Sequence, residues 1–139
     1  MAGSWTDYLK NEMLDHVLSA STFTAPATLY VGLWTSALFD SATGSVSGEV
    51  STSGTNYARA AVTNNTTNFP AASGGIKTNG TTISFSTASI SWGTITYMAL
   101  TDAITGGNML MWSDLTTSKA VAAGDTPSFS VGSLTFSVS

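Results

Sequence analysis

The stretch Ser91-Trp92-Gly93-Thr94-Ile95-Thr96-Tyr97-Met98-Ala99-Leu100-Thr101-Asp102, continued through Thr105-Gly106-Gly107-Asn108 into Met109-Leu110-Met111-Trp112, decides the reading of the fold. Two β-prone runs flank a Gly-Gly-Asn turn, which is the strongest hairpin signal in the chain. The rest of the chain is expected to pack against this hairpin.

Outward from it, the same period of two recurs. Ala27 to Thr35 alternates Leu29, Val31 and Leu33 on one face with Tyr30 and Trp34 on the other, which predicts a central strand or one covered by a helix. Tyr57 to Thr63 predicts a second strand, and Thr81 to Ser86 another with Ile83 and Phe85 inward. After the hairpin, Lys119-Ala120-Val121 predicts a short separate strand. Ser128 to Val131 and Leu134 to Val138 close the chain, joined at Gly132-Ser133. Short strands with turn residues at this spacing predict a mainly β fold, a single antiparallel β-sandwich of Ig-like or jelly-roll-like kind.

Two segments depart from that pattern. Residues 4–19 predict the one helix, with Ser4 as N-cap, Asp7 in the first turn, and Trp5, Leu9, Met13, Leu14, Val17 and Leu18 at helical spacing. Its apolar face is expected either to dock on a neighbouring subunit or to lie over the chain's own sheet. The connection at 36–56 is polar and long for a compact domain, so a mobile arm or a functional loop is expected there. The chain thus reads as one domain over 1–139, with a helix at 4–19 and a sandwich from 27 to 139.

Composition narrows the function. Charged residues are 9% of the 139, against about 25% in an average soluble protein, while Ser and Thr fill 44 positions. A hydroxyl-rich surface of this kind suits packing against neighbours. Four scattered cations, Lys10, Arg59, Lys77 and Lys119, face eight carboxylates, so no basic stripe exists for nucleic acid. Cysteine is absent, which removes disulfides, thiolate metal sites and thiol nucleophiles. The opening residues, which meet Lys10, Glu12 and Asp15 before any apolar run, are not expected to act as a signal peptide, and no stretch of roughly 18 apolar residues occurs, so no membrane partner is expected.

Chemistry-bearing constellations are sparse. His16 follows Glu12 by one helical turn, but the sequence places no further ligand near them, and a solvated helix histidine is expected. Asp40, Asp102, Asp114 and Asp125 fall at turns or strand ends, where a short acceptor bonds nearby amides. A glycosidase pair would need two carboxylates flanking a cleft, and the glycines Gly44, Gly48 and Gly54 lack the Lys-Ser or Lys-Thr of a phosphate cradle. The acidic residues are too dispersed for a calcium loop. No enzyme activity, cofactor or metal is expected. One pair stands out: Glu49 precedes Arg59, the sole arginine, by ten residues. The two are expected either to clamp the long loop onto the Tyr57 strand or bridge to another subunit, contributing about 0–1 kcal/mol as an exposed pair, or to stand as two unpaired surface charges.

The order of these features resembles a family of small tailed-phage virion proteins of tail-fibre-like type. The matching residues are the N-terminal helix, Leu29-Tyr30-Val31-Gly32-Leu33-Trp34-Thr35, Glu49-Val50, Tyr57-Ala58-Arg59, Ser91-Trp92-Gly93-Thr94-Ile95-Thr96, Thr105-Gly106-Gly107-Asn108 and Gly124-Asp125-Thr126. The chain departs from that family at Ser36-Ala37-Leu38-Phe39-Asp40, where an Asp-Pro pair commonly follows the first strand. The resemblance implies a non-enzymatic β-sandwich that is assembled into a virion in the host cytoplasm. Other virion proteins and further copies of the chain, as a trimer or higher homo-oligomer, are the expected partners.

A tail- or fibre-associated position is the first expectation, and a capsid-decorating cement protein the alternative. Trp5, Tyr8, Leu9, Glu49 and Arg59 are the candidate assembly residues. A reading of a different class is a carbohydrate-binding module using Trp34, Trp92, Trp112 or Tyr97 as a stacking surface.

Overall fold

A computed structural model of the chain describes residues 3–138. In chain order the elements are β1 (Gly3–Trp5), α1 (Asp7–Leu18), β2 (Thr28–Trp34), β3 (Ala60–Thr63), β4 (Ile76–Thr78), β5 (Ile83–Ser84), β6 (Gly93–Thr101), β7 (Met109–Val121), β8 (Ser128–Phe129) and β9 (Thr135–Ser137). A five-stranded antiparallel sheet runs β1-β7-β6-β2-β3, and the ribbons β4-β9 and β5-β8 supply a second layer. The architecture is the expected antiparallel β-sandwich with an N-terminal helix.

The central hairpin is β6 and β7, and β2 lies against β6 with Leu33 opposite Met98 and Val31 opposite Leu100. Because β2 alternates, its two faces enter different cores. Leu29, Val31 and Leu33 join Ile95, Met98, Leu100, Phe69, Ile83, Phe85 and Leu134 between the sheet and the ribbons. Trp34 points the other way and packs with Ala99 and Met109 of the sheet and with Leu38 and Ala42 of the long connection. Ile95 and Met98 are three apart yet share one core, since the register shifts between Ile95 and Tyr97, where Lys119 and Asp114 are their partners on β7. An irregularity of this kind re-aims side chains along a strand.

Several expectations are corrected. The helix begins at Asp7, and its N-cap is Thr6, whose side chain accepts from the Leu9 amide. Ser4 is displaced from that role because Gly3–Trp5 is drawn into the sheet as β1, opposite Ser113, Trp112 and Met111. Lys119 to Val121 is the end of β7, which continues from Met109, so the hairpin has one long arm. The last two strands are shorter than expected and pair with different partners, β8 with β5 and β9 with β4. β4 was not legible at all; only its preceding Gly74-Gly75 turn was.

Helix α1 carries Asp7 in its first turn, where a carboxylate favours the dipole. Of its apolar side chains only Leu9 is buried, while Leu14, Val17 and Leu18 are 57%, 73% and 78% exposed. The helix therefore lies on its own sheet at its N-terminal half and stands clear of it at the other.

Candidate functional site

The connection at 36–56 is long but firmly held. Its far end returns along β2: the Thr35 amide donates to Gly48 O at 2.8 Å, the Val50 amide to Leu33 O at 3.1 Å, and Trp34 and Glu49 are bridged. Glu49 thereby reaches Arg59, just ahead of β3. Arg59 Nε donates to Glu49 Oε1 at 2.7 Å and Nη2 to Glu49 Oε2 at 2.8 Å, a bidentate fork. Nη2 also donates to Gly44 O at 2.7 Å, and Nη1 to Thr101 Oγ1, Ala103 O and Gly106 O at 2.9, 2.8 and 3.0 Å. The guanidinium carbon sits 5.5 Å from the centre of the Trp34 ring. One side chain thus ties the long loop, the start of β3 and the β6-β7 turn together.

The surroundings are shaped for this. A Cβ on Gly44 would stand 1.9 Å from Gly106 O, so the loop backbone and the hairpin turn meet only through glycine, with the Gly44 amide donating to Gly107 O at 3.0 Å. A Cβ on Gly32 would come within 2.6 Å of the Trp34 ring and 3.2 Å of Glu49 Oε1. Tyr57 completes the cluster by donating to Glu49 Oε1 at 2.8 Å and accepting from the Leu33 amide at 2.9 Å. Burial, and next the Glu49 carboxylate, push the Tyr57 phenol well above its usual range, so it stays a donor.

The sequence offered a Glu49–Arg59 pair beside the alternative of two unpaired charges, and placed either in solvent. The Arg59 side chain is 1% exposed and that of Glu49 22%. A guanidinium in that position must have its donors matched, and the backbone carbonyls that match them lie far apart in sequence.

A second cluster anchors the helix. Thr6 turns its hydroxyl toward the carbonyls of Met109 and Leu110, and its amide donates to Leu110 O at 3.0 Å. Asp40, at the start of the long loop, accepts from Lys10 Nζ at 2.6 Å and from Trp112 Nε1 at 3.1 Å, and its carbonyl accepts the Asp7 amide at 2.8 Å. The bond from the Lys10 ammonium is the main reason the Asp40 carboxyl is held below the usual range. Helix and loop are therefore joined at their first residues.

Of the expected assembly residues, Trp5 and Tyr8 are half-buried beside this anchor, and Leu9 is buried beneath it. Burial, then the Glu12 and Asp102 carboxylates, raise the Tyr8 phenol above its usual range. Leu9 and Arg59 are 5% and 4% exposed, so in this conformation both support surfaces that other residues present. The bareness of Leu14, Val17 and Leu18 was not legible in the sequence, although their spacing was. Nor was an apolar groove of about 310 Å³, walled by Trp5, Leu9, Phe23, Phe69 and Phe136, with Lys77 among its lining residues.

The remaining candidates have structural occupations. His16 Nδ1 accepts the Phe23 amide at 3.2 Å. Asp102 caps the hairpin turn by accepting from the Asn108 amide and side chain at 2.8 and 2.9 Å, and Asp125 accepts the Ala122 amide at 2.9 Å. Trp34 and Trp92 are buried, which leaves Tyr97 and Trp112, their ring centres 5.9 Å apart, as the half-exposed aromatics. Among the described residues, no three His, Cys, Asp or Glu side chains converge as a metal site, and no helix is long and apolar enough to cross a membrane.

The fold is a hydroxyl-rich antiparallel β-sandwich module, pinned internally by a buried arginine and carrying a helix whose Leu14, Val17 and Leu18 are bare. The family model described as podophage GP4 fiber I protein gp80 matches residues 4–137, and the chain belongs to that family. It is accordingly a phage fibre structural protein of the virion. Comparison with curated proteins finds no match.

Proposed function

We propose that the protein is a non-enzymatic building block, folded as one domain, that joins the tail or fibre region of the particle by packing against copies of itself and other virion proteins. The carrying observation is the C-terminal half of α1. Leu14, Val17 and Leu18, at the i, i+3 and i+4 spacing of one helical turn, are exposed, while the other end of the helix is anchored by Thr6 and Asp40. Fully burying side chains of this size contributes about 1.5–3 kcal/mol each, so a bare row of three on a held helix supports a partner surface. Trp5 and Leu9 line the groove beside the helix, and Tyr8 is half-buried at its anchored end. Glu49 and Arg59 act at a distance by holding the loop to which the helix is bonded. The low charge and the structural occupation of Asp40, Asp102 and Asp125 support the non-enzymatic reading.

The test is incorporation. Particles carrying Leu14→Asp with Leu18→Asp should lose the protein, as counted by mass spectrometry of purified virions, while the purified variant keeps its β-rich circular dichroism. Undiminished incorporation would remove the helix from the proposal. Copy number separates the two positions: a few dozen copies or fewer support the tail or fibre, and hundreds support capsid decoration.

A further inference from the structure

Two features of the surface match each other. The exposed face of α1 offers Leu14, Val17 and Leu18 at the i, i+3, i+4 spacing by which an amphipathic helix anchors in a groove, with Asp15 on its flank. The groove beside the same helix is lined almost wholly by apolar groups, from Trp5, Leu29, Phe69, Met111 and Phe136, and Lys77 of β4 is among its lining residues. Among the described residues, ion pairs join Lys10 to Asp40 and Arg59 to Glu49; Asp15 and Lys77 form none.

We infer that the groove receives the α1 face of a second copy of this chain, with Leu14, Val17 and Leu18 entering it and Asp15 meeting the Lys77 of the receiving copy. This rests on the assembly reading above and names the partner at that surface. The helix does not fill its own groove because its N-terminal half is fixed by the Thr6 and Asp40 bonds, which leave only Leu9 turned into it. Knob and groove are different patches of one surface, so each copy both gives and receives. The rotation between copies then decides whether the set closes as a ring or a pair. Opposite charges at the rim select this partner over an uncharged groove, since a like charge opposite Asp15 would oppose docking.

The experiment uses the full chain in solution and reads its mass by analytical ultracentrifugation over a concentration series. The wild type is expected to self-associate. Leu14→Asp should weaken association by about thirtyfold, the effect of removing a buried hot-spot anchor, and leave the thermal midpoint of the monomer unchanged because the residue is exposed there. Asp15→Lys alone and Lys77→Asp alone should each weaken it, and the two together should restore it. A wild type that stays monomeric throughout, or a double charge reversal no better than the single ones, overturns the inference. If that happens while Leu14→Asp still excludes the protein from virions, the helix surface stands and its partner is another virion protein. If self-association behaves as expected but incorporation is unaffected, it is the assembly reading that fails.

Discussion

The long connection at 36–56 and the helix α1 exchange the roles their sequences suggest. The connection has no regular structure and a hydroxyl-rich, glycine-rich composition, yet it is held at both ends, by Asp40 to the helix and by Glu49 and Gly44 to Arg59. The helix has apolar residues at helical spacing and a capped N-terminus, yet Leu14, Val17 and Leu18 are in solvent while only Leu9 is buried. Regular backbone geometry satisfies a helix's own amides, so it can stand without being covered. An irregular segment has no such internal partners, so it is ordered only where other groups supply them. Order in this molecule follows where the hydrogen bonds go.

The sharpest way to break that comparison is Arg59→Ala. It takes the guanidinium donors away from Glu49 Oε2 and the carbonyls of Gly44 and Gly106, while Glu49 Oε1 keeps Tyr57 and Ala103 O keeps Thr101, and should cost about 3–5 kcal/mol. In a domain of this size that is a fall in the thermal midpoint of about 10–20 °C, read by calorimetry. A shift of only a few degrees would mean that the loop is held by its apolar contacts instead. Next comes Gly44→Ala, whose added methyl meets the Gly106 carbonyl and must push the loop off the hairpin turn, at about 1–3 kcal/mol in urea unfolding.

Thr6→Ala tests the helix side. Loss of the N-cap should cost about 1–2 kcal/mol, visible as reduced helical signal together with a lower unfolding midpoint. The Asp40 contact adds a pH signature. Its carboxyl is depressed in the folded chain, so its contribution is present above the ordinary carboxylate value of about 3.9 and is lost as pH falls through the folded value. The gap in urea midpoint between wild type and Asp40→Asn should therefore hold at neutral pH and close as pH falls below the ordinary carboxylate value. A gap independent of pH would assign the loss to packing. Smallest of all, Leu14→Ser with Val17→Ser should change monomer stability by no more than about 0.5 kcal/mol, because both side chains are already in water.

Much of this was legible beforehand for particular reasons. β2 announced itself because its alternation places Leu29, Val31 and Leu33 on one side and Trp34 on the other, and both sides are in fact covered. The Glu49–Arg59 pair was legible because the chain has one arginine and a carboxylate close to it in sequence. Its burial was not, because four of the groups around the guanidinium, on Gly44, Thr101, Ala103 and Gly106, are remote and three of them are backbone carbonyls that carry no sequence signal. β1 and β4 were missed for a related reason: three-residue strands have too little periodicity to register, and each exists only because β7 or β9 lies beside it.

The amino-acid sequence by itself determined the class of fold, the hairpin at its centre, the helix and its dipole, and the lack of any thiol chemistry, because these depend on spacing and composition along the chain. Only the tertiary structure decided which apolar residues stay bare and which polar ones are buried. Leu14 and Arg59 each defy what residue type alone would assign. Exposure and hydrogen-bond satisfaction are properties of what distant segments bring alongside, and those neighbours are chosen by the packing of the whole chain.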